Sequence, residues 1–203
     1  MSPARRRGRL IVLSGPSGVG KTTVAKALLK GSRALVRSIS ATTRSPRPGE
    51  RQGRDYHFLS EAAFAAKLKR RAFLEHARVH GRRYGTLRGP VEAARARGRD
   101  VLLVIDVQGA RQVRRVAPDA VFLFLAPPGF QVLKARLARR GTEDPRTLRR
   151  RLATARRELK ERHRYDHVLV NDRLIETLRQ ARAILRTPDS RPRPKTATMP
   201  LSS

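Results

Sequence analysis

The string GPSGVGKT at residues 15–22 constrains the fold of this chain more than any other feature, because its glycine spacing demands a particular backbone path. The run LIVL at residues 10–13 is short, apolar and β-branched in its middle, as a buried parallel strand is, and the spacing of apolar residues over 24–29 predicts a helix. The glycines therefore sit between a strand and a helix N-terminus. Gly15, Gly18 and Gly20 lack a Cβ, so the backbone there can turn its N–H groups inward beside the positive end of the helix dipole. With Ser17, Val19 and Thr23 they form a cradle for the phosphates of a nucleoside triphosphate. Lys21 is placed to reach the β and γ phosphates, and Thr22 to offer its hydroxyl to Mg²⁺. The expected class is α/β, a parallel sheet flanked by helices.

At 203 residues and 39% apolar composition, one domain with a real core is expected. The chain has no cysteine, which excludes disulfides and thiolate metal sites and permits a reducing compartment, here taken as the cytoplasm. No apolar run approaches the ~20 residues of a membrane span. Arg5, Arg6 and Arg7 precede only a four-residue apolar strand, so a secretory signal is not expected. His76 and His80 have i, i+4 spacing but no third ligand, and zinc is not expected.

The net charge is +31, from 47 basic and 16 acidic residues, and the termini carry only a small part of it. One reading is nucleic-acid binding. The other is an arginine-rich solvated surface around a polyphosphate site, which the scarcity of aromatics among the basic runs favours, because a stacking platform needs them.

Along the chain, residues 34–40 read as a second strand, followed by a polar, proline-stiffened loop over 41–50. Arg44 and Arg47 there can converge on one phosphate through their planar forks. A helix is expected over 60–71, amid scattered polar motifs that suggest a small lobe. Residues 101–105 form a buried strand ending in Asp106, where a second acid for metal and phosphates belongs in phosphate-loop enzymes. Another core strand covers 120–126. From 128 to 164 the chain is helical and basic, with Leu148, Leu152, Ala155 and Leu159 as one apolar stripe. A last strand covers 165–171, and Leu174, Leu178, Ala181 and Leu185 mark a final amphipathic helix. Residues 1–8 read as a basic arm, and 187–203 as a disordered Pro- and Arg-rich tail.

Behind the phosphate loop, the string SISATTRSPRPGE with DYHF, FLEHA and YGT resembles guanylate kinases, which are P-loop nucleoside monophosphate kinases. The resemblance continues through IDVQGA, RL with RGTE, and YDHVLVND, and covers roughly residues 9–186. It implies a P-loop NTPase-type core, an inserted GMP-binding lobe near 38–88 and a basic helical lid near 136–152. Ser40, Arg44, Arg47, Tyr56, Glu75, Tyr84 and Thr86 would line the GMP site, the two arginines and two tyrosines on its phosphate. Asp106 would stand beside GMP and meet Mg²⁺ through water. Arg136, Arg140 and Arg151 would be lid arginines closing over ATP, and Asn171 an adenine-side residue. The family often has an acid two positions before Asp106, where this chain has Val104.

Physical chemistry agrees with Glu75 as base reader. Guanine presents N1–H and N2–H₂ as adjacent donors that one ionised carboxylate can accept together, whereas adenine offers an acceptor at N1. The expected activity is transfer of a phosphoryl group from ATP, with Mg²⁺, to GMP, with dGMP as an alternative acceptor. A guanylate-kinase-like module that only binds acidic or phosphorylated peptides is the competing reading. The intact Lys21 and Thr22 argue against it, because a pure binding module needs no metal-nucleotide cradle.

Overall fold

A computed structural model describes residues 6–79, 81–138 and 145–187. In chain order the elements are β1 (Leu10–Ser14), α1 (Lys21–Lys30), β2 (Leu35–Arg37), β3 (Ser40–Thr42), β4 (His57–Phe58), α2 (Glu61–Lys69), β5 (Phe73–Val79) and β6 (Arg82–Leu87). They continue with α3 (Arg88–Ala96), β7 (Asp100–Val104), α4 (Val107–Val116), β8 (Val121–Ala126), α5 (Phe130–Ala138), α6 (Pro145–Lys160), β9 (His167–Val170) and α7 (Leu174–Arg186).

Five strands form a parallel sheet in the order β2-β7-β1-β8-β9. The central strands β1 and β8 are buried along their whole length, which is why they read as unbroken apolar runs. Edge strand β9 alternates instead, with Leu169 buried and Val168 and Val170 exposed. Both faces of the sheet are covered. Ile11, Leu13, Leu102, Leu123 and Leu125 pack toward α1, α5, α6 and α7, and Leu10, Val12, Leu103 and Phe122 pack toward α3 and α4. Each fully buried Leu or Ile contributes about 2 kcal/mol.

A second, four-stranded sheet has the order β4-β3-β6-β5. β5 and β6 form an antiparallel hairpin, β3 pairs antiparallel with β6, and β4 runs parallel to β3. Its small core is Ala41, Phe64 and Phe73, where the two rings stack at 4.4 Å. Ser60 caps α2 by accepting from the Ala63 N–H.

Three expectations need correction. The single strand over 34–40 is two: β2 closes on the core sheet, with Ser38 N–H bonded to the Leu102 carbonyl, and the chain then crosses to pair Ser40 with Thr86 in the second sheet. Periodicity cannot register a change of sheet within one extended run. The last strand begins at His167; just before it the Asp166 side chain accepts from the Phe122 N–H, and Tyr165 packs on the Phe122 and Phe124 rings. In α7, Leu174 is 39% exposed, and the buried position of the first turns is Thr177. The stripe of α6 is as expected: Ala155 is fully buried, with Leu148, Leu152 and Leu159 packed on the core. Residues 1–5, His80, Arg140 and residues 188–203 lie outside the described residues.

Candidate active site

The phosphate loop leaves β1 at its C-terminal end and enters α1. Gly20, with φ 101°, lies so close to Asn171 that a Cβ would stand 2.6 Å from the Asn171 Nδ2. Gly15, with φ 140°, lies against the Leu125 carbonyl, and a Cβ would meet it at 2.2 Å. Both positions require glycine twice over, by dihedral and by space. Lys21 Nζ donates to the Gly15 and Pro16 carbonyls at 2.6 and 3.0 Å, folded back onto the loop it follows. Thr22 and Thr23 are exposed on the first turn of α1.

Asn171, at the end of β9, is buried and braces this loop. Its Nδ2 donates to the Val19 carbonyl at 2.7 Å, its Oδ1 accepts from Thr177 Oγ1 at 3.1 Å, and its backbone carbonyl accepts from the Arg136 guanidinium at 3.1 and 3.2 Å. The amide is thus committed to the loop itself. From α6, Arg151 Nη2 reaches Ser17 Oγ at 2.9 Å.

Between loop and α6 lies a cleft of about 460 Å³, lined by Ser17, Lys21, Asp106, Arg150, Arg151 and Glu158, and closed on another side by Arg78 and Val79 of β5. Asp106 is the N-cap of α4, its Oδ1 accepting from the Gly109 N–H at 2.8 Å. The Glu158 carboxyl is pushed up from its ordinary value by burial, against the pull of Lys21, and its Oε2 is buried without a hydrogen-bond partner. Val104 is half-buried and packs on the apolar core.

Across the cleft, the register of the second sheet lines up Ser40, Thr86 and Glu75 on three neighbouring strands. Glu75 is 5% exposed, and Thr86 Oγ1 donates to its Oε1 at 2.6 Å. Its Oε2 lies against Gly109, where a Cβ would stand 2.6 Å away. Burial first, then the negative Asp106, push the Glu75 carboxyl up to about 7 against the Thr86 hydrogen bond.

At the outer end of this sheet, Arg44 makes a two-pronged ion pair with Glu50 at 2.9 Å, which holds its proton more tightly still, with help from Tyr84. Its guanidinium lies 5.3 Å from the Tyr56 ring centre, and Tyr56 meets Tyr84 edge-on at 6.2 Å. Arg47 is exposed, and its backbone N–H donates to Glu50 at 2.8 Å. Arg44, Arg47, Tyr56 and Tyr84 therefore share one end of the lobe, and Glu75, Thr86 and Ser40 the other. Lys21, Arg151 and Asp106 line the cleft between lobe and loop.

A family model described as guanylate kinase matches residues 7–187. The chain belongs to the guanylate kinase family. It is 48% identical to the guanylate kinase of Nocardia farcinica over 92% of this chain and 97% of that one. It is 50% identical to a guanylate kinase of Thermus thermophilus over 88% of this chain and 81% of the relative. The crystal structure of guanylate kinase from Anaplasma phagocytophilum superposes with a TM-score of 0.73 at 35% identity, covering 90% of this chain and 86% of that one. The chain thus has the expected α/β core, and it is a nucleoside monophosphate kinase, a phosphotransferase.

Three residues of the site had no role in the sequence reading. Gly109 gives Glu75 its room, and only a fold shows that α4 passes Glu75. Glu158 follows Arg151 by seven residues and so shares its helix face, a spacing that would have pointed to it. Glu50 stands six residues after Arg44 in the same loop and is the acid that orders it.

Proposed function

We propose that the guanylate kinase reaction of this chain, ATP + GMP giving ADP + GDP, runs by direct in-line transfer between a donor held on the phosphate loop and a GMP held on the second sheet. The observation that carries this reading is the Glu75 carboxyl, buried with Thr86 on one oxygen and Gly109 on the other, and near Asp106, which lines the same cleft as Lys21. Guanine N1–H and N2–H₂ bind the ionised carboxylate, and Ser40 and Thr86 complete the base end. Arg44, Arg47, Tyr56 and Tyr84 hold the GMP phosphate at the other end.

On the donor side, the N–H groups of residues 15–23 take the ATP phosphates, and Lys21 moves from its loop carbonyls to β and γ oxygens. Asn171 serves the adenine side through the loop it braces. Arg136, Arg140 and Arg151 act as lid cations on the transferring phosphoryl group, where charge develops. No general base is required, because the GMP phosphate, with a second pKa near 6, is already an oxyanion at neutral pH. Positioning and charge neutralisation do the work, with no covalent enzyme intermediate.

A bound Mg²⁺ would supply further neutralisation of the phosphate charge. Thr22 and, through water, Asp106 would hold it, and the buried unpartnered Glu158 Oε2, which shares the cleft with Asp106, fits such an oxygen-donor site. The cytoplasm is the compartment this reading assigns, supported by the cysteine-free composition.

Replacement of Glu75 by Gln tests the reading. It keeps the shape but turns one acceptor into a donor, so GMP meets a donor facing a donor. We expect kcat/KM for GMP to fall about 10²-fold, with a narrower preference over AMP and little change in KM for ATP. An undiminished GMP preference in that variant removes Glu75 from the role.

A further inference from the structure

β5 is an edge strand, paired with β6 on one side only. In an antiparallel ladder the N–H and C=O of one residue point the same way, so alternate residues of β5 turn both groups outward, where they need other partners. At His76 one side chain supplies both. The His76 N–H donates to Gln112 Oε1 at 3.0 Å, and Gln112 Nε2 donates to the His76 carbonyl at 2.7 Å. A primary amide presents an acceptor and a donor side by side, as a neighbouring strand would. Gln112, from α4, stands in for that strand.

The position of this clamp matters for its neighbour. The β5–β6 register slips by one residue between the Phe73–Leu87 and Glu75–Thr86 pairs, so Leu74, immediately before Glu75, has no ladder partner. From the C-terminal side, the adjacent residue is the one clamped. The same helix presents Asp106 at its N-cap, Gly109 against Glu75 and Gln112 on His76, at intervals of three residues, so successive turns meet the site acid, the reader and the strand edge.

We propose that Gln112 is a positioning residue for base recognition: its paired hydrogen bonds to His76 fix where β5 lies on α4, and so hold the Glu75 carboxyl at the depth where it meets guanine. This rests on Glu75 being the base reader. Gln112 itself touches neither substrate nor reacting atoms.

The test compares Gln112→Ala, Gln112→Met and Glu75→Gln in kinetics with GMP and with IMP, which lacks the 2-amino group. Met keeps the length and packing of Gln without its donor and acceptor. Loss of two neutral hydrogen bonds that act only through Glu75 is expected to raise KM for GMP about tenfold and to narrow the GMP over IMP preference. KM for ATP and kcat at saturating GMP should stay within about twofold, a split that general destabilisation would not produce. In the unaltered protein the His76 amide should be protected from hydrogen exchange, and an unprotected amide overturns the clamp without any variant. If Glu75→Gln loses the preference while Gln112→Met keeps the normal KM and preference, the positioning role falls and the reader stands. If Glu75→Gln keeps it, both fall.

Discussion

In the phosphate loop every group that would meet ATP phosphate comes from nine consecutive residues, 15–23, whereas the proposed base reader is assembled from β5, β6 and α4, with Glu75, Thr86 and Gly109 spread over 35 positions. The two regions also bear different kinds of cost. The loop stores its cost in the backbone, in positive φ at Gly15, Gly18 and Gly20, and its lysine stays solvated by carbonyls. The reader has no positive φ at Glu75, Thr86 or Gly109 and stores its cost in electrostatics: a carboxyl buried beside another acid, with a hydroxyl as its hydrogen-bond donor. A site for phosphate can be built locally from repeated N–H groups. A site that distinguishes one base edge from another needs a single polar atom placed in depth, and depth comes only from packing distant segments together.

The largest expected effect falls on the local side. Lys21→Met removes a cation from the point where phosphoryl charge develops, and kcat should drop about 10³-fold or more. Thermal stability should move little, because a partly exposed loop side chain bonded to two carbonyls adds little to the core. Steady-state kinetics and a melting curve check both halves. Near-normal turnover would break the comparison by making the loop a structural feature alone.

A smaller effect is expected where the reader depends on a distant glycine. Gly109→Ala places a methyl 2.6 Å from Glu75 Oε2, while the helical backbone at that position accepts alanine and gains from it by up to about 1 kcal/mol. The carboxyl must shift, so KM for GMP should rise about tenfold with KM for ATP unchanged. An equal rise for both substrates would mean that lobe and loop are not separable in this way.

The same contrast explains what the sequence could convey. The loop, the strand before it and the helix after it are legible because hydrophobic periodicity and glycine spacing are local signals, and β1, β7 and β8 stand where unbroken apolar runs put them. The crossing from β2 to β3 was not legible, because residues 34–40 are extended throughout and only their partners change. Glu75 could be singled out through its motif but not its burial, and the expectation of a simply ionised carboxylate missed the rise of its pKa to about 7. Gly109 and Gln112 were invisible as site residues because their importance lies in what α4 passes, and Arg44 was read without the Glu50 that holds it.

The finest test of the comparison is pH, because only the reader stores its cost in a proton. Glu75 has an ordinary value of 4.5 and a value of about 7 in the folded protein. GMP needs the ionised form, so affinity should rise with pH: between pH 6.5 and 7.5 the ionised fraction grows about threefold, and KM for GMP should fall by a similar factor. Stability of the free protein runs the other way. A group whose folded pKa is raised favours the fold fully below its unfolded value, and that contribution is lost as pH climbs from about 4.5 through 7, up to about 3 kcal/mol in all. Glu75→Gln cannot ionise, so it should lose both slopes and melt higher than the unaltered protein at pH 8. It also serves as the control for the GMP phosphate, whose own ionisation near pH 6 affects both proteins alike. If wild-type KM for GMP is flat across pH 6.5–7.5 and the variant gains no stability at pH 8, the Glu75 carboxyl is ionised at little cost, and the reader is no more strained than the loop.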